Sequence, residues 1–475
     1  MSSLAIDQGT SATKALVVAD DGSVLAEAEV PVGIHRTPDG GVEQDPAELL
    51  ASVLEAGRQA LQAFGGDVSS VALANQGESV VAIDAATGVA RSPVISWQDR
   101  RAAELTAALA ERHGNRLFEI SGLPLDPYFT APKLAWLQQR CGRGEQVCGI
   151  DAWLNRQLTG RFVTDAATAS RSGVLDLASR TWSTEAASIF GLDPEVLAEV
   201  VDCAGHLGST GAFGPTLEVT ALIVDQQAAL VGEGCLDAGE AKCTFGTGAF
   251  LLASTGAQPV WSTAGLSSSV AHQIAATTAW CLDGQVYAAG AALGWLVRTG
   301  LLRSPAELDG QLRRADPSDR TLCVPAFSGL GAPRWAPQAR ASFEGIGLAT
   351  GPDEIVSALA EGLCAQVALL AGAASIDIGT DLRVLRVDGG LTRSEELCQR
   401  QADLLQAPVE VFGSPHATAL GLAALARVGA GTDAHLAPTN PEGGRTFEPR
   451  IGRDEAAARL DSQRAAMVRA VEAAR

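Results

Sequence analysis

The sequence predicts an α/β protein with two similar domains. The chain has 475 residues, whereas a single domain typically holds about 150. Strand-like apolar runs alternate with helical patterns along its length, which is typical of α/β folds. Each half also opens with two strands joined by a tight turn that carries Gly and Thr, namely Asp7-Gln8-Gly9-Thr10 and Phe245-Gly246-Thr247-Gly248. We therefore expect a duplicated α/β domain, divided as residues 1–235 and 236–475.

The first half begins with strand patterns and continues into a helix. Asp20-Asp21-Gly22 is a turn between two β-rich runs. Asp45-Pro46 is a favourable N-cap and first helical position, so a helix should start there. The predicted strands are 4–6, 13–19, 24–30, 68–74 and 80–84, and the predicted helices are 45–61, 102–112 and 132–140.

The second predicted domain begins after a Gly-rich stretch between residues 231 and 241 and becomes rich in helices. A long apolar-periodic helix should cover 353–374, and a buried strand should end at Asp388-Gly389-Gly390. The tail closes with a helix rich in Ala, Arg and Glu. The other predicted strands are 220–224, which precedes the boundary, and 241–245, 250–254 and 382–387.

Composition excludes several classes of protein. A formal net charge of −20 without an offsetting basic tract disfavours binding to nucleic acid or to an anionic membrane. The N-terminus lacks the pattern of a signal peptide, and no apolar run reaches a membrane span, so we expect a cytoplasmic protein. The 9 cysteines include no C-x-x-C pair, which predicts reduced, mostly buried thiols rather than a zinc site or a disulfide framework.

The common nucleotide-binding and hydrolase motifs are missing. No lysine completes G-x-x-x-x-G-K-[ST], and no Gly-rich segment completes G-x-G-x-x-G after a strand. H-E-x-x-H and G-x-S-x-G are absent as well. A nucleotide would have to be bound by another device.

The two Gly/Thr turns are candidates for that device. Gly9 permits close approach of a phosphate, Thr10 and Ser11 supply donors, and Lys14 adds positive charge. Asp7 at the strand end could hold Mg²⁺ through water. Thr247 would act in the same way in the second turn, so that a triphosphate would lie between the halves. The alternative is an ordinary β-turn at each place.

Asp225 follows the strand-like run 220–224. A carboxylate at the carboxyl end of a strand can face a cleft and accept the proton of an attacking hydroxyl. Local sequence alone favours a different role, as the cap of a helix over 226–231. Both roles are compatible.

Two segments combine aromatic and polar groups, Trp97-Gln98-Asp99-Arg100-Arg101 and Asp126-Pro127-Tyr128-Phe129. Aromatic walls with a few polar groups suit a polyol, whose C–H faces pack on rings while its hydroxyls form hydrogen bonds. The alternative for each ring is ordinary core packing.

These segments together resemble the glycerol kinases of the FGGY carbohydrate kinase family, in family order over residues 4–430. The resemblance implies an actin-like, ribonuclease-H-like fold in two domains, an active-site cleft between them, and ATP with Mg²⁺ in that cleft. It implies transfer of the γ-phosphoryl group of ATP to a small polyol. The matching segments are Asp7-Gln8-Gly9-Thr10, Asn75-Gln76-x-Glu78, Trp97 to Arg101, Tyr128 to Leu137, Asp225 to Ala229, Phe245 to Gly248, Pro325 to Trp335 and Arg386 to Gly390.

The same resemblance implies roles for individual residues. Asp225 would be the general base. The acceptor pocket would be lined by Glu78, Trp97, Tyr128, Asp225, Gln226 and Phe250. The nucleotide side would be formed by Thr10, Ser11, Lys14, Thr247, Gly290, Gly390 and Ser394.

Departures from the family pattern concern both ligands. Gly77 stands where glycerol kinases usually carry an arginine that donates to glycerol, which opens space and favours an acceptor of four or five carbons. Gly294 and Ser394 replace a usual Gln and Asn on the nucleotide side, and Lys14 replaces an Arg. A kinase for a ketose such as xylulose or ribulose, an actin-like ATPase without an acceptor, and a sugar-sensing pseudokinase stay open as alternatives, as does a homodimer.

Overall fold

A computed structural model describes residues 2–433, 435–437 and 443–474. Twenty-four strands and thirteen α-helices are present in this part of the chain. The strands are β1 Ser2–Gln8, β2 Ala12–Ala19, β3 Val24–Pro31, β4 His35–Arg36, β5 Val42–Gln44, β6 Ser70–Asn75, β7 Val80–Asp84, β8 Val94–Ile95, β9 Glu145–Gly149, β10 Val163–Asp165, β11 Leu175–Asp176, β12 Thr181–Trp182, β13 Glu199–Val201, β14 Ser209–Thr210, β15 Leu217–Val224, β16 Glu240–Phe245, β17 Ala249–Gly256, β18 Ser267–Ile274, β19 Thr277–Val286, β20 Leu322–Val324, β21 Ser342–Glu344, β22 Val384–Asp388, β23 Val409–Val411 and β24 Arg445–Phe447.

The helices follow the predicted order, and the first begins where the sequence predicts. Asp45 accepts a hydrogen bond from the backbone N–H of Ala47, and Pro46 occupies the first helical position. The helices are α1 Pro46–Phe64, α2 Ala103–Ser121, α3 Thr130–Gln138, α4 Ile150–Thr159, α5 Ala166–Ser170, α6 Thr184–Phe190, α7 Asp225–Gly232, α8 Gly290–Arg298, α9 Leu308–Arg314, α10 Pro352–Ile378, α11 Glu395–Leu405, α12 Ala417–Gly429 and α13 Arg453–Glu472.

The first large sheet has the strand order β14-β15-β6-β1-β2-β3. Its strands β1, β2 and β3 pair antiparallel, whereas β6 and β15 are parallel to β1 and to each other. Nearly every residue of β1 and β6 is buried, which is typical of central strands. The carboxyl ends of β1, β6 and β15 therefore lie at one edge of the sheet.

The second large sheet repeats this arrangement. Its order is β18-β19-β17-β16-β22-β23-β24, with β16, β17 and β19 antiparallel and β22 and β23 parallel to β16. In both sheets the opening strand pairs antiparallel with the second strand and parallel with a later one. The repeat confirms the predicted duplication and the actin-like, ribonuclease-H-like fold class.

Helices α7 and α12 pack closely across the first sheet. A Cβ on Gly421 would lie 1.9 Å from the carbonyl oxygen of Ala228, and a Cβ on Gly232 would lie 2.0 Å from that of Ala417. Glycine at both positions thus permits this close approach. Because α12 contacts β1, β6 and β15, a helix from the second half of the chain covers the first sheet. The division at residues 235 and 236 stays a proposal.

Helix α10 forms the centre of the second core. It is long and apolar enough to span a membrane by length and composition, but 72% of its most apolar window is buried inside the protein. Core helices of soluble proteins have the same properties. The nine cysteines are free and eight of them are buried, which agrees with the predicted burial of most thiols.

Candidate active site

A cavity of about 180 Å³ opens between the edges of the two large sheets. It is lined from the first half by the segments after β1, β6, β8, α2, α5 and β15, and from the second half by the turn between β16 and β17 and by Asp283 of β19. Eight residues singled out from the sequence meet here, although some lie more than 200 residues apart in the chain. They are Thr10, Glu78, Trp97, Tyr128, Asp225, Gln226, Thr247 and Phe250.

Asp225 occupies the point where β15 ends and α7 begins. Its Oδ1 accepts a hydrogen bond from the backbone N–H of Gln226 at 2.7 Å. Val224 is the N-cap residue of α7, and no side chain caps that position, so Asp225 is not a conventional N-cap. Burial raises the pKa of Asp225 to about 7, and the negative charge of Asp7 acts in the same direction. A carboxylate with this pKa can take up a proton near neutral pH.

Lys242 lies beneath the cavity and has no solvent-exposed surface. Its Nζ donates to Oε1 of Gln226 at 2.5 Å and to Oγ1 of Thr244 at 2.9 Å. The ammonium also lowers the pKa of Asp225 and so opposes the effect of burial. The sequence placed Lys242 in a strand next to a Gly/Thr turn, but it gave no sign of this link to Gln226.

Glu78 is held in the cavity wall by a buried arginine. The residue has a left-handed φ of 55°, which turns the chain between β6 and β7. Its Oε1 accepts a hydrogen bond from Nε of Arg171 at 2.7 Å, and the guanidinium also lies 3.5 Å from Oδ2 of Asp283. Arg171 and Asp283 line the cavity, yet sequence analysis missed both because neither belongs to a motif with a Gly-rich turn.

Aromatic rings form another part of the cavity wall, and the Cζ of Arg171 lies 5.9 Å from the centroid of the Tyr128 ring. The ring of Trp97 meets Tyr128 edge-on at 6.0 Å and Phe250 edge-on at 5.7 Å, measured between centroids. Lys133 is fully buried and donates to the backbone carbonyls of Pro127, Tyr128 and Phe129, so it fixes the loop that carries Tyr128. Burial lowers the pKa of Lys133 to about 7.

The first Gly/Thr turn places its residues differently. Thr10 lines the cavity, and its Oγ1 accepts a hydrogen bond from Nε1 of Trp97 at 2.9 Å. Ser11 is exposed. Lys14 points along the sheet surface, where its Nζ lies 3.6 Å from Oε2 of Glu29. Asp7 has a buried Oδ1 without a hydrogen-bond partner, and burial raises its pKa to about 6.

Glycines allow close packing around the second turn. A Cβ on Gly290 would lie 2.6 Å from the carbonyl oxygen of Gly246, and a Cβ on Gly389 would lie 2.4 Å from that of Phe245. The backbone N–H groups of Ala289 and Ala291 donate to the carbonyl oxygen of Thr247. The start of α8 and the end of β22 are thereby packed on the Gly246-Thr247-Gly248 turn.

Not all predicted nucleotide residues reach this cavity. Gly290, Gly390 and Ser394 lie outside its lining, as do Asp7, Ser11 and Lys14. The hydroxyl of Ser394 caps α11 by accepting from the N–H of Leu397, and it donates to Asp309. The roles of these six residues stay predictions.

Two family models together match almost the whole chain. The N-terminal domain of the FGGY family of carbohydrate kinases matches residues 2–232, and its C-terminal domain matches residues 241–430. The chain belongs to the FGGY family of carbohydrate kinases. It is therefore an ATP-dependent kinase, as the ordered motifs indicated.

Similar FGGY kinases include proteins named glycerol kinase. The glycerol kinase of Thermus brockianus is 39% identical over 444 residues, which cover 90% of each chain. That of Alkalilimnicola ehrlichii is 38% identical over 484 residues, covering 98% of each. Among solved structures, Plasmodium falciparum glycerol kinase with ADP superimposes with a TM-score of 0.92 at 27% identity, covering 99% of this chain and 98% of the other.

The fold is shared with FGGY kinases of other names. A xylulose kinase from Lactobacillus acidophilus superimposes with a TM-score of 0.88 at 21% identity, covering 97% of this chain and 96% of that one. At this identity the likeness concerns the fold.

Proposed function

We propose that this FGGY kinase transfers the γ-phosphoryl group of ATP to a hydroxyl of glycerol or of a related polyol of three to five carbons, with Asp225 as the general base. The observation that carries the proposal is the position of Asp225. Asp225 lines the same cavity as Glu78, Trp97 and Tyr128 and as Gly246 and Thr247 of the second turn. An acceptor hydroxyl and a phosphate can thus meet at Asp225 in one cavity.

The cavity supplies the groups that such a transfer needs. The rings of Trp97, Tyr128 and Phe250 offer apolar surface to the C–H groups of a polyol, while Glu78 and Gln226 can bond its hydroxyls. Asp225 accepts the proton of the attacking hydroxyl as the new phosphate ester bond forms and the bond to the β-phosphate oxygen breaks. Thr10 and the turn at Thr247 would hold the phosphates through hydroxyl and backbone N–H donors. Gly290, Gly390 and Ser394 would lie on the nucleotide side.

The residues around Asp7 fit a magnesium ion that accompanies the nucleotide. The buried Oδ1 of Asp7 has no partner in the protein, and a carboxylate oxygen is a typical Mg²⁺ ligand. Within residues 2–433, 435–437 and 443–474, no group of three or more His, Cys, Asp or Glu residues is placed to hold a metal. Asp7 would therefore hold the ion together with water and phosphate oxygens, and the ion would neutralise phosphate charge.

Relatives with substantial identity favour glycerol-type acceptors over ketoses. The names of the curated relatives at 38–39% identity refer to glycerol, whereas the xylulose kinase shares only the fold at 21% identity. A cytoplasmic location is also proposed, since a kinase with nine free cysteines suits a reducing compartment.

A coupled ADP-release assay tests the function. The purified protein is assayed with ATP, Mg²⁺ and either no acceptor or one of glycerol, erythritol, threitol, dihydroxyacetone, xylulose and ribulose. We expect ADP release to depend on a polyol. Release that is equal without any acceptor would instead indicate an ATPase, and release with ketoses alone would indicate a ketose kinase.

The Asp225→Asn variant tests the base. We expect it to lose about 10²–10⁴-fold in kcat while calorimetric binding of ATP persists. A variant that keeps a tenth or more of the wild-type turnover contradicts the assignment of Asp225.

A further inference from the structure

The buried arginine in the cavity wall has hydrogen-bonding capacity that the protein leaves unused. Arg171 is 2% exposed and lines the cavity beside Glu78 and Asp283. Its Nε donates to Oε1 of Glu78. Its Nη1 is also buried, but it makes no hydrogen bond and lies 3.5 Å from Oδ2 of Asp283.

The surroundings of Arg171 hold the guanidinium firmly in place. The ring of Phe129 lies 5.2 Å from its Cζ atom, and two carboxylates flank it. Burial by itself would lower the pKa of Arg171, but the charges of Asp283 and Glu78 raise it, so the group is a permanent cation. Oδ1 of Asp283 is in turn bonded by the side chain of Gln285, which fixes the second carboxylate.

A buried guanidinium N–H without a hydrogen-bond acceptor destabilises the folded protein unless a ligand accepts the hydrogen bond. Arg171 lines the proposed acceptor site. Gly77 lines the same cavity and has no side chain, so no group from that position competes for the space. The guanidinium of Arg171 thus lies between the carboxylates of Glu78 and Asp283.

We propose that Arg171 is the specificity-determining residue for the acceptor and that its guanidinium donates to a hydroxyl on the carbon next to the reacting one. Glu78 and Asp283 accept from the hydroxyls on either side. The ligand class is therefore a polyol with hydroxyls on adjacent carbons. The inference rests on the proposed polyol kinase function and adds to it the residue that recognises the second hydroxyl.

Substrates that lack one hydroxyl test this inference against the matching variants. The wild type, Arg171→Met and Arg171→Lys are compared on glycerol and on 1,3-propanediol, which lacks only the middle hydroxyl. We expect the wild type to prefer glycerol strongly in kcat/KM. Arg171→Met should lose most of its rate on glycerol but little on 1,3-propanediol, so that the ratio of the two falls by at least about tenfold, as a lost charged hydrogen bond implies.

Arg427 provides a matched control. It is also buried, at 6% exposed, and its Nε donates to Oδ2 of Asp433 at 2.7 Å, but it lies outside the cavity lining. Arg427→Lys should leave the glycerol to 1,3-propanediol ratio at the wild-type value. Thermal melting and calorimetric ATP binding check that each variant is folded.

Three outcomes decide the matter. A folded Arg171→Met protein with the wild-type substrate ratio overturns the inference while leaving the polyol kinase function intact. If Arg171→Met does not fold, Arg171→Lys decides in its place, because lysine keeps the charge but cannot reproduce the forked guanidinium; an unchanged ratio overturns the inference. A wild-type protein that releases no ADP with any polyol overturns the proposed function itself, and the inference with it.

Discussion

The indole N–H of Trp97 donates to Oγ1 of Thr10 over 2.9 Å. This hydrogen bond joins the aromatic wall of the cavity to the first Gly/Thr turn, two features that the sequence predicts for different ligands. Because the Thr10 hydroxyl accepts from the indole, its own proton is free to point towards a phosphate oxygen. The acceptor wall thus orients a group that we assign to the nucleotide.

Replacement of Trp97 by Phe should affect both ligands. Phenylalanine keeps much of the ring surface against Tyr128 and Phe250 but removes the N–H that orients Thr10. We expect KM for ATP to rise about three- to tenfold, as the loss of a hydrogen bond of about 1 kcal/mol implies. We expect KM for the polyol to rise as well. Steady-state kinetics with each substrate varied in turn measure this. A change in the polyol KM alone would contradict the coupling.

Replacement of Lys242 should move the pH dependence of catalysis. Its charge lowers the pKa of Asp225, so Lys242→Met should raise that pKa above about 7. Since Asp225 must be ionised to act as the base, the acidic limb of kcat/KM for glycerol should shift to higher pH. A profile from pH 5.5 to 9 measures the limb.

The charge-retaining variant separates this effect from packing. Lys242→Arg keeps a cation next to Gln226 and Thr244 but alters the hydrogen bonds. Its activity should fall while the acidic limb stays near the wild-type position. An unshifted limb in Lys242→Met would show that Lys242 does not tune Asp225.

A side chain at position 77 should narrow the acceptor range. A Cβ on Gly77 would lie 3.0 Å from Cγ2 of Val224, tighter than a normal contact, so Gly77→Ala must displace Val224 or reduce the cavity. We expect the wild type to use erythritol or threitol at least as well as glycerol, and Gly77→Ala to lose at least about tenfold more kcat/KM on these four-carbon polyols than on glycerol. Glycerol exceeding every four- and five-carbon acceptor in the wild type contradicts this prediction.

Gly290→Ala should weaken ATP binding with little effect on the polyol. The added methyl group would meet the carbonyl oxygen of Gly246 at 2.6 Å and push the second turn away from α8. We expect the calorimetric Kd for ATP to rise at least about tenfold, because the added methyl group overpacks a close backbone contact and displaces the turn that we assign to the phosphates.

Gly372→Ala is the control for a helical glycine. Gly372 lies in α10, and a Cβ there would meet nothing within 4 Å. This variant should bind ATP like the wild type and gain about 0.5–1 kcal/mol of stability, as alanine does in a helix. Equal ATP affinity in both variants would show that the Gly246–Gly290 contact does not shape the site.

The sequence predicts the parts of this site that lie in turns. Gly9, Thr10 and Thr247 lie in local patterns, and Asp225 follows an apolar strand, so each could be identified without a structure. Arg171, Asp283 and Lys242 could not, because their roles depend on contacts across the fold. Arg171 reaches Glu78 across 93 residues of chain, and no local spacing encodes such a pairing.

Local sequence patterns likewise predict some features of the fold and not others. The strand at 13–19 and the helix that starts at Pro46 follow from periodicity and capping, and both agree with the structure. The close packing of α12 against α7 does not, because it depends on the matched glycines Gly232 and Gly421, which lie far apart in the sequence.

Asp225→Asn should stabilise the protein at alkaline pH. The pKa of Asp225 is about 7 in the folded state because of burial and about 3.9 in an unfolded chain. Between these two pKa values Asp225 is protonated in the folded state but ionised in the unfolded chain. The free energy of unfolding therefore falls as the pH rises from about 4 to 7. Asparagine carries no charge, so the variant does not lose free energy of unfolding in this way as the pH rises. In urea unfolding, the free energy of unfolding of Asp225→Asn should therefore exceed that of the wild type by an amount that grows from pH 5 to pH 8, by on the order of 2 kcal/mol.

A carboxylate with the opposite shift gives the control. Asp21 is exposed and accepts a hydrogen bond from the N–H of Ser23 at 2.9 Å, which lowers its pKa. Its ionised form stabilises the fold above the unfolded pKa, and that contribution disappears as the pH falls. Asp21→Asn should therefore give no gain at pH 8 and a slight loss. If Asp225→Asn likewise fails to gain stability between pH 5 and pH 8, the carboxylate of Asp225 is not destabilised by burial, and its readiness to accept a proton near neutral pH must have another origin.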